Sequence, residues 1–373
     1  MLKKITNIYY IADLNLSTLK AYTIHVMKMI DNFNHFAGHV ELLVYSQRKN
    51  FTLNKIKKNF ILTSKKNFFI KNFFTKPRNS FFYRIAFGFL SANYLKKKNG
   101  LVITRSFMAS LFLILFRKKH FLEIHHHLKG LTKFMFLNLN LISSNSIIKI
   151  IFITKSLKKN FNNYDIKSLV LPDAVELKNF KRVKIRSKIK NIVYVGSFYK
   201  GRGIELILKI AEKLKNKNFF LYGKRKTDLI NFDYKKLNNV KVFNLIKYSE
   251  VPSKLAKADL LLMPYSLDGI FIDALGNNDI SKYTSPMKMF EYLASGAPLI
   301  SSNIPVLKEI LINKKNCLIS RDNSVNTWVK NIHLVEADHQ LRNKIIKNAL
   351  ISASKNTWFL RANKIVNEYL RFS

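Results

Sequence analysis

Short apolar runs alternate with longer amphipathic segments along the chain, the pattern of a sheet whose strands are joined by helices. Residues 5–12 (ITNIYYIA) read as a strand, and 39–45 (HVELLVY) as a second. Between them, 21–36 places Ile24, Met27, Ile30 and Phe33 at helical spacing. Strand, helix, strand implies a parallel sheet. Further short β-like runs fall at 101–104 and 121–124, flanking an apolar helix candidate at 106–116, and a buried strand falls at 148–154. After a basic stretch at 178–190 the alternation restarts. Strands are expected at 191–195, 219–222, 240–243, 260–263 and 298–301. Helices are expected at 203–214, 250–257 and 286–294, and 336–372 is expected to be helical to the end. Two such series joined by a basic linker predict two Rossmann-like domains facing a cleft. The expected division is 1–175, 190–345 and a C-terminal helix region, 346–373.

Composition narrows the class. The chain has 373 residues and is 48% hydrophobic, enough for two cores and too apolar for disorder. One cysteine, Cys317, excludes an internal disulfide and fits a reducing compartment. The apolar run 107–116 is too short to cross a bilayer, and the N-terminus reads as a strand, not a signal peptide. The expected location is therefore cytoplasmic. A net charge of +43 suggests nucleic acid at first sight. Yet Lys, Asn, Ile and Phe recur in cores and loops alike, as codon drift in an AT-rich genome would produce. No RNA-binding signature accompanies the charge, so nucleic acid is not an expected partner. The basic-aromatic segment 48–82 (Lys49, Phe51, Lys65, Lys66, Phe68, Phe69, Phe73, Phe74, Lys76, Arg78) suits a peripheral contact with anionic lipid, or is a solvated loop.

Ligands of open α/β sheets bind beyond the carboxyl ends of the strands, where loops meet helix N-termini. Gly196-Ser197-Phe198-Tyr199-Lys200-Gly201-Arg202-Gly203 runs from a strand into a helix. It reads either as an anion cradle, with Lys200 and Arg202 supplying charge, or as an ordinary βα turn. At 285–291, Ser285 is a natural N-cap and Pro286 suits the first helical position. The N–H groups of Met287 and Lys288 would then face a diphosphate. Glu291, one turn deeper, would repel phosphate, so its partner is a pair of ribose hydroxyls unless it is a plain surface glutamate. Gly223-Lys224-Arg225 is a weaker loop on the same rim. His125, His126 and His127 end a strand, where neighbouring side chains point to opposite faces and cannot share one metal ion. No Asp-x-Asp pair occurs to hold a divalent cation, so no metal or other cofactor is expected.

These motifs, in order, resemble the retaining GT-B glycosyltransferases of family 4, the group 1 class. The resemblance rests on SPMKMFEYLASGAPLISSNIPVLKEIL (285–311), VYVGSFYKGRGIELI (193–207), ADLLLMPYS (258–266), LPDAVELKNF (171–180) and NTWFLRANKI (356–365). It implies a GT-B fold whose C-terminal helix region, 346–373, packs back toward the first domain. It also implies transfer of a sugar from a nucleoside diphosphate sugar to a glycan or lipid-linked hydroxyl, as in cell-surface polysaccharide or lipopolysaccharide synthesis. By position it implies catalytic roles for Arg202, Lys200 and His125. Gly196, Ser197, Gly201, Gly223, Tyr283, Ser285, Pro286, Met287, Lys288 and Glu291 become donor-binding, with Glu291 on the ribose. The chain departs from the family pattern at Tyr283, where a first glutamate is usual, and at Ser197, where a cation is usual. Asp173-Ala174 stands for Asn-Gly, and 13–20 lacks the glycines of the acceptor loop. A GT-B nucleotide-sugar epimerase and a basic non-enzymatic binding protein are the competing classes.

Overall fold

The computed structural model describes residues 4–16, 18, 20–46, 52–64, 66, 68–74, 80–161, 167–180, 188–224, 233–272 and 277–372. Of the residues singled out above, Lys49, Phe51, Lys65, Lys76, Arg78 and Arg225 lie outside these, as does 181–187 of the linker. The chain forms two compact units, one of Met1–Pro172 with Trp358–Ser373 and one of Asp173–Thr357.

Among the described residues, the first unit holds a seven-stranded parallel sheet: β1 (Ile5–Asn15), β2 (Ala37–Ser46), β3 (Phe69–Phe74), β4 (Leu101–Thr104), β5 (His120–Ile124), β6 (Ile147–Phe152) and β7 (Ser168–Val170), ordered β3-β2-β1-β4-β5-β6-β7. The order reverses at β1, which pairs with β2 on one side and β4 on the other. β1 and β2 read as nearly unbroken apolar runs because helices cover both faces of a parallel sheet. Helix Phe81–Leu95, which no period announced, starts where the Ser80 hydroxyl accepts the Tyr83 N–H. It packs on helix Phe107–Leu115, capped in the same way by Ser106.

The second unit repeats the plan among its described residues. Strands β8 (Asn191–Val195), β9 (Asn218–Lys224), β10 (Val240–Asn244), β11 (Leu260–Met263), β12 (Leu299–Ser302) and β13 (Leu318–Ser320) form a parallel sheet ordered β10-β9-β8-β11-β12-β13. Its order reverses between β8 and β11, the switch point where such sheets place ligands. Helix Ile204–Lys213 turns Ile207, Leu208, Ile210 and Ala211 inward, where they join Trp328 and Ile332 in one core. Burial of Trp328 is worth about 3–5 kcal/mol against alanine.

The end of the chain is helical as expected, but in separate pieces: 336–372 takes in the last two residues of Val325–Ala337 and then helices His339–Lys355 and Trp358–Tyr369. Asp338 breaks the first join, because its carboxylate caps the next helix at the Leu341 N–H, 2.8 Å away. Helix His339–Lys355 buries Ile345 and Ala349 in the cores of the second unit, so the change of unit falls at Trp358 and not at 346. Helix Trp358–Tyr369 lies on helix Ala21–Phe33 of the first unit.

Candidate donor site and a buried histidine cluster

The loop after β8 is built on close backbone approach. A Cβ at Gly201 would overlap the Gly269 carbonyl, and one at Gly223 would overlap the Gly196 carbonyl. Gly196 donates its N–H to the Tyr222 carbonyl at 3.0 Å, which joins this loop to the end of β9. The loop 264–272 is laced to it as well: Ser266 N–H donates to Gly201, and Phe271 N–H to Lys200.

The two loop cations have different surroundings. Arg202 is only 8% exposed, and its Nη2 donates to the Phe271 carbonyl at 2.8 Å. Its Nε is buried with no hydrogen-bond partner, a costly state that a ligand anion would relieve. Lys200 is exposed, with its ammonium 5.5 Å from the centre of the Phe271 ring. Ser197 offers its carbonyl to the Tyr194 hydroxyl at 2.9 Å.

Helix Met287–Ala294 begins one residue later than expected. Pro286 is the N-cap, in extended conformation, and no side chain caps it. Ser285, expected in that role, instead accepts the Asp173 N–H at 3.0 Å through its hydroxyl. The helix start is thus left open to an anion. Lys288 is half-buried, and its ammonium donates to the Tyr194 hydroxyl at 3.0 Å. Burial, with the Arg202 charge nearby, holds its pKa well below the usual lysine range. Glu291 is buried and accepts a hydrogen bond from Tyr248, whose phenol is pushed well above its usual range by burial and by the Glu291 charge. Tyr283 turns back into its own loop, with its hydroxyl 3.4 Å from the Asp279 carbonyl.

Several participants carried no sequence signal of their own. Tyr292 binds both backbone groups of Val195, Tyr265 lies beneath the Arg202 guanidinium, and Tyr248 covers Glu291. A tyrosine in an apolar stretch reads as packing, whereas here Tyr292 and Tyr248 act through their hydroxyls and Tyr265 through its ring face.

In the first unit, β5 delivers Glu123 and His125 to a buried polar cluster. Glu123 Oε1 accepts from His125 Nε2 at 2.7 Å and from Arg361 Nη2 at 2.7 Å, with His25 Nε2 at 3.1 Å. Oε2 accepts from the Tyr10 hydroxyl at 2.6 Å. Burial alone would raise the Glu123 carboxyl, but Arg361 and the two histidines hold it well below its usual range. Burial and the Arg105 charge push His125 down to about 3, against the pull of Glu123. His125 is therefore neutral near pH 7, with its Nε2 proton on Glu123 and Nδ1 as an acceptor. His126 turns toward Phe107, and His127 toward Asn160, so the three histidines have separate partners. His25, Glu123 and His125 lie close enough to share a metal ion, but the Arg361 guanidinium already occupies the same carboxylate oxygen and would repel one.

Two parallel sheets with central first strands and covering helices are the GT-B arrangement of glycosyltransferase structures, and the whole chain adopts it. Residues 175–351 match the family Glycosyl transferases group 1. Among solved structures, Anabaena HepE in complex with UDP-glucose aligns with a TM-score of 0.70 at 11% identity, covering 99% of this chain and 100% of that one. Sucrose-phosphate synthase from Thermosynechococcus elongatus aligns with a TM-score of 0.67 at 14% identity, covering 99% of both chains. The lipopolysaccharide outer core galactosyltransferase WaaB aligns with a TM-score of 0.65 at 15% identity, covering 99% of this chain and 100% of that one. A sequence search of curated proteins finds no match.

Proposed function

We propose that the chain is a retaining, metal-independent glycosyltransferase that takes a sugar from a nucleoside diphosphate sugar. The observation that carries this reading is Arg202, a buried guanidinium with an unpartnered Nε at the switch point of a sheet within a stretch that matches group 1 glycosyltransferases. Arg202 and the open start of helix Met287–Ala294 stabilise the charge that develops on the departing diphosphate, with Lys200 able to swing in from the surface. Glu291, beside Tyr248, takes the ribose hydroxyls. His125 offers Nδ1 to a substrate hydroxyl in the first unit. The donor phosphate itself accepts the proton of the attacking hydroxyl, so no protein nucleophile is assigned.

The acceptor in this proposal is a glycan or lipid-linked hydroxyl in cell-surface polysaccharide synthesis, a reading supported by the likeness to the lipopolysaccharide outer core galactosyltransferase WaaB. The enzyme works in the cytoplasm, peripherally on anionic membrane. No described helix is long and apolar enough to cross a membrane. Support for a peripheral contact comes from helices Phe81–Leu95 and Phe107–Leu115, which expose Phe81, Phe82, Phe89 and Leu115 among Arg84, Lys96, Arg117 and Lys119. Phe82 is 80% exposed, an arrangement suited to insertion between lipid headgroups.

The test is a panel of nucleotide sugars screened first for thermal stabilisation and then for release of nucleoside diphosphate with and without glycan acceptors. Transfer with retained anomeric configuration is expected. Isomerisation of the donor with no acceptor present would identify an epimerase instead, and absence of nucleotide-sugar binding would defeat the proposal.

A further inference from the structure

Arg202 and Lys288 stand over the same aromatic ring. The Arg202 guanidinium carbon is 5.1 Å from the centre of the Tyr265 ring, and the Lys288 ammonium is 4.7 Å from it. Lys288 also lies 4.1 Å over the Tyr194 ring while donating to that residue's hydroxyl. Its ammonium faces the first glycine of the loop, since a Cβ at Gly196 would come within 2.9 Å of Nζ. Among the described residues neither cation forms an ion pair, and Arg202 Nε has no partner. Arg202 is buried and Lys288 half-buried, and their like charges repel. Glu291 attracts Lys288 from one turn along the helix but is a weaker influence than burial and Arg202. Aromatic faces return only about 0.5–2 kcal/mol apiece. Such a pair is stable when an anion lies between its members. Lys200, exposed over Phe271, is outside this pair.

Resting on the donor reading above, we propose that the Lys288 side chain is the second cation of the diphosphate site and a catalytic residue. With Arg202 it clamps the two phosphates, and both charges follow the leaving nucleoside diphosphate as its bond to the sugar breaks. Helix Met287–Ala294 thus supplies its open N-terminus and, from its second residue, a full positive charge. Burial and the Arg202 charge hold the Lys288 pKa down in the free protein, so a bound diphosphate raises it and favours the charged form.

Titration with inorganic pyrophosphate tests this apart from any nucleoside or sugar. Lys288→Met keeps the length of the side chain and removes its charge, so pyrophosphate affinity is expected to fall about ten- to a hundredfold, the worth of a charged hydrogen bond. Calorimetry in buffers of different ionisation heat should show proton uptake on binding to the wild type at alkaline pH, and little with Lys288→Arg, which stays charged. Ser197→Arg, placed beside the same Tyr194 hydroxyl, should restore part of the affinity lost in Lys288→Met. Lys209→Met, on the exposed face of helix Ile204–Lys213, is the control for nonspecific charge loss. Pyrophosphate binding by a folded Lys288→Met within about twofold of wild type would overturn the proposal. If no nucleotide sugar serves as donor yet Lys288→Met still loses pyrophosphate, the donor reading fails and the phosphate clamp stands.

Discussion

The Tyr292 hydroxyl accepts the Val195 N–H at 2.8 Å and returns its own proton to the Val195 carbonyl at 3.1 Å. One side chain thereby fixes helix Met287–Ala294 against the last residue of β8, where the glycine loop begins. The two halves of the proposed donor site are registered through this phenol. Tyr292→Phe leaves a buried N–H unsatisfied, and a loss of about 1–3 kcal/mol is expected. Urea unfolding should show it, together with weaker nucleotide binding. Unchanged stability and binding would mean that packing alone sets the register.

Arg202→Ala removes the buried guanidinium proposed to face the leaving group. Turnover should fall about a hundredfold or more, with a smaller change in KM, because the interaction strengthens as charge develops. Steady-state kinetics on the donor found in the screen provides the check, and an unaltered kcat would remove Arg202 from catalysis.

Glu291 is expected to read ribose. Glu291→Gln should weaken binding of a ribonucleoside diphosphate about tenfold, an effect largely lost with its 2′-deoxy analogue. Equal weakening of both ligands would assign Glu291 to holding Tyr248 and not to the sugar of the nucleotide.

Acid should destabilise the first unit in two stages. His120 and His125 are held neutral, at about 4 and about 3, whereas an unfolded histidine titrates near 6.5. As pH falls below about 6.5 the unfolded chain binds their protons first, and each histidine costs on the order of 2 kcal/mol by about pH 5. Glu123 acts at lower pH. Its depressed carboxyl contributes stability above an unfolded value of about 4.3, and that contribution is lost as pH falls toward the folded value. Urea melts from neutral to acid pH should show the first stage, and His125→Asn should reduce its slope.

Replacing Phe82 and Leu115 with serine should reduce sedimentation with phosphatidylglycerol vesicles several-fold while leaving the fold intact, since both side chains are exposed. Binding equal to wild type would exclude this face as the membrane contact.

Strands β4, β8 and β11 fall on the runs 101–104, 191–195 and 260–263, because a buried parallel strand must be apolar along its length. Helix Phe81–Leu95 was illegible for the opposite reason. It is apolar nearly all round, so no helical period distinguishes its faces. The break at Asp338 has no local signature either, since a helix-capping aspartate is locally indistinguishable from a solvated one. At the site, glycine spacing marked the loop and proline marked the helix start to within one residue.

The amino-acid order alone determined the alternation of strands and helices, the two Rossmann-like halves and the positions of Arg202, Lys288 and Glu291, since periodicity and turn chemistry are local properties. Tertiary structure alone decided what those side chains face. Ser285 went to Asp173 instead of its own helix, Arg361 to Glu123, and the Tyr292 phenol to Val195. These contacts join residues 112, 238 and 97 positions apart, and no local pattern encodes which distant partner a buried polar group meets.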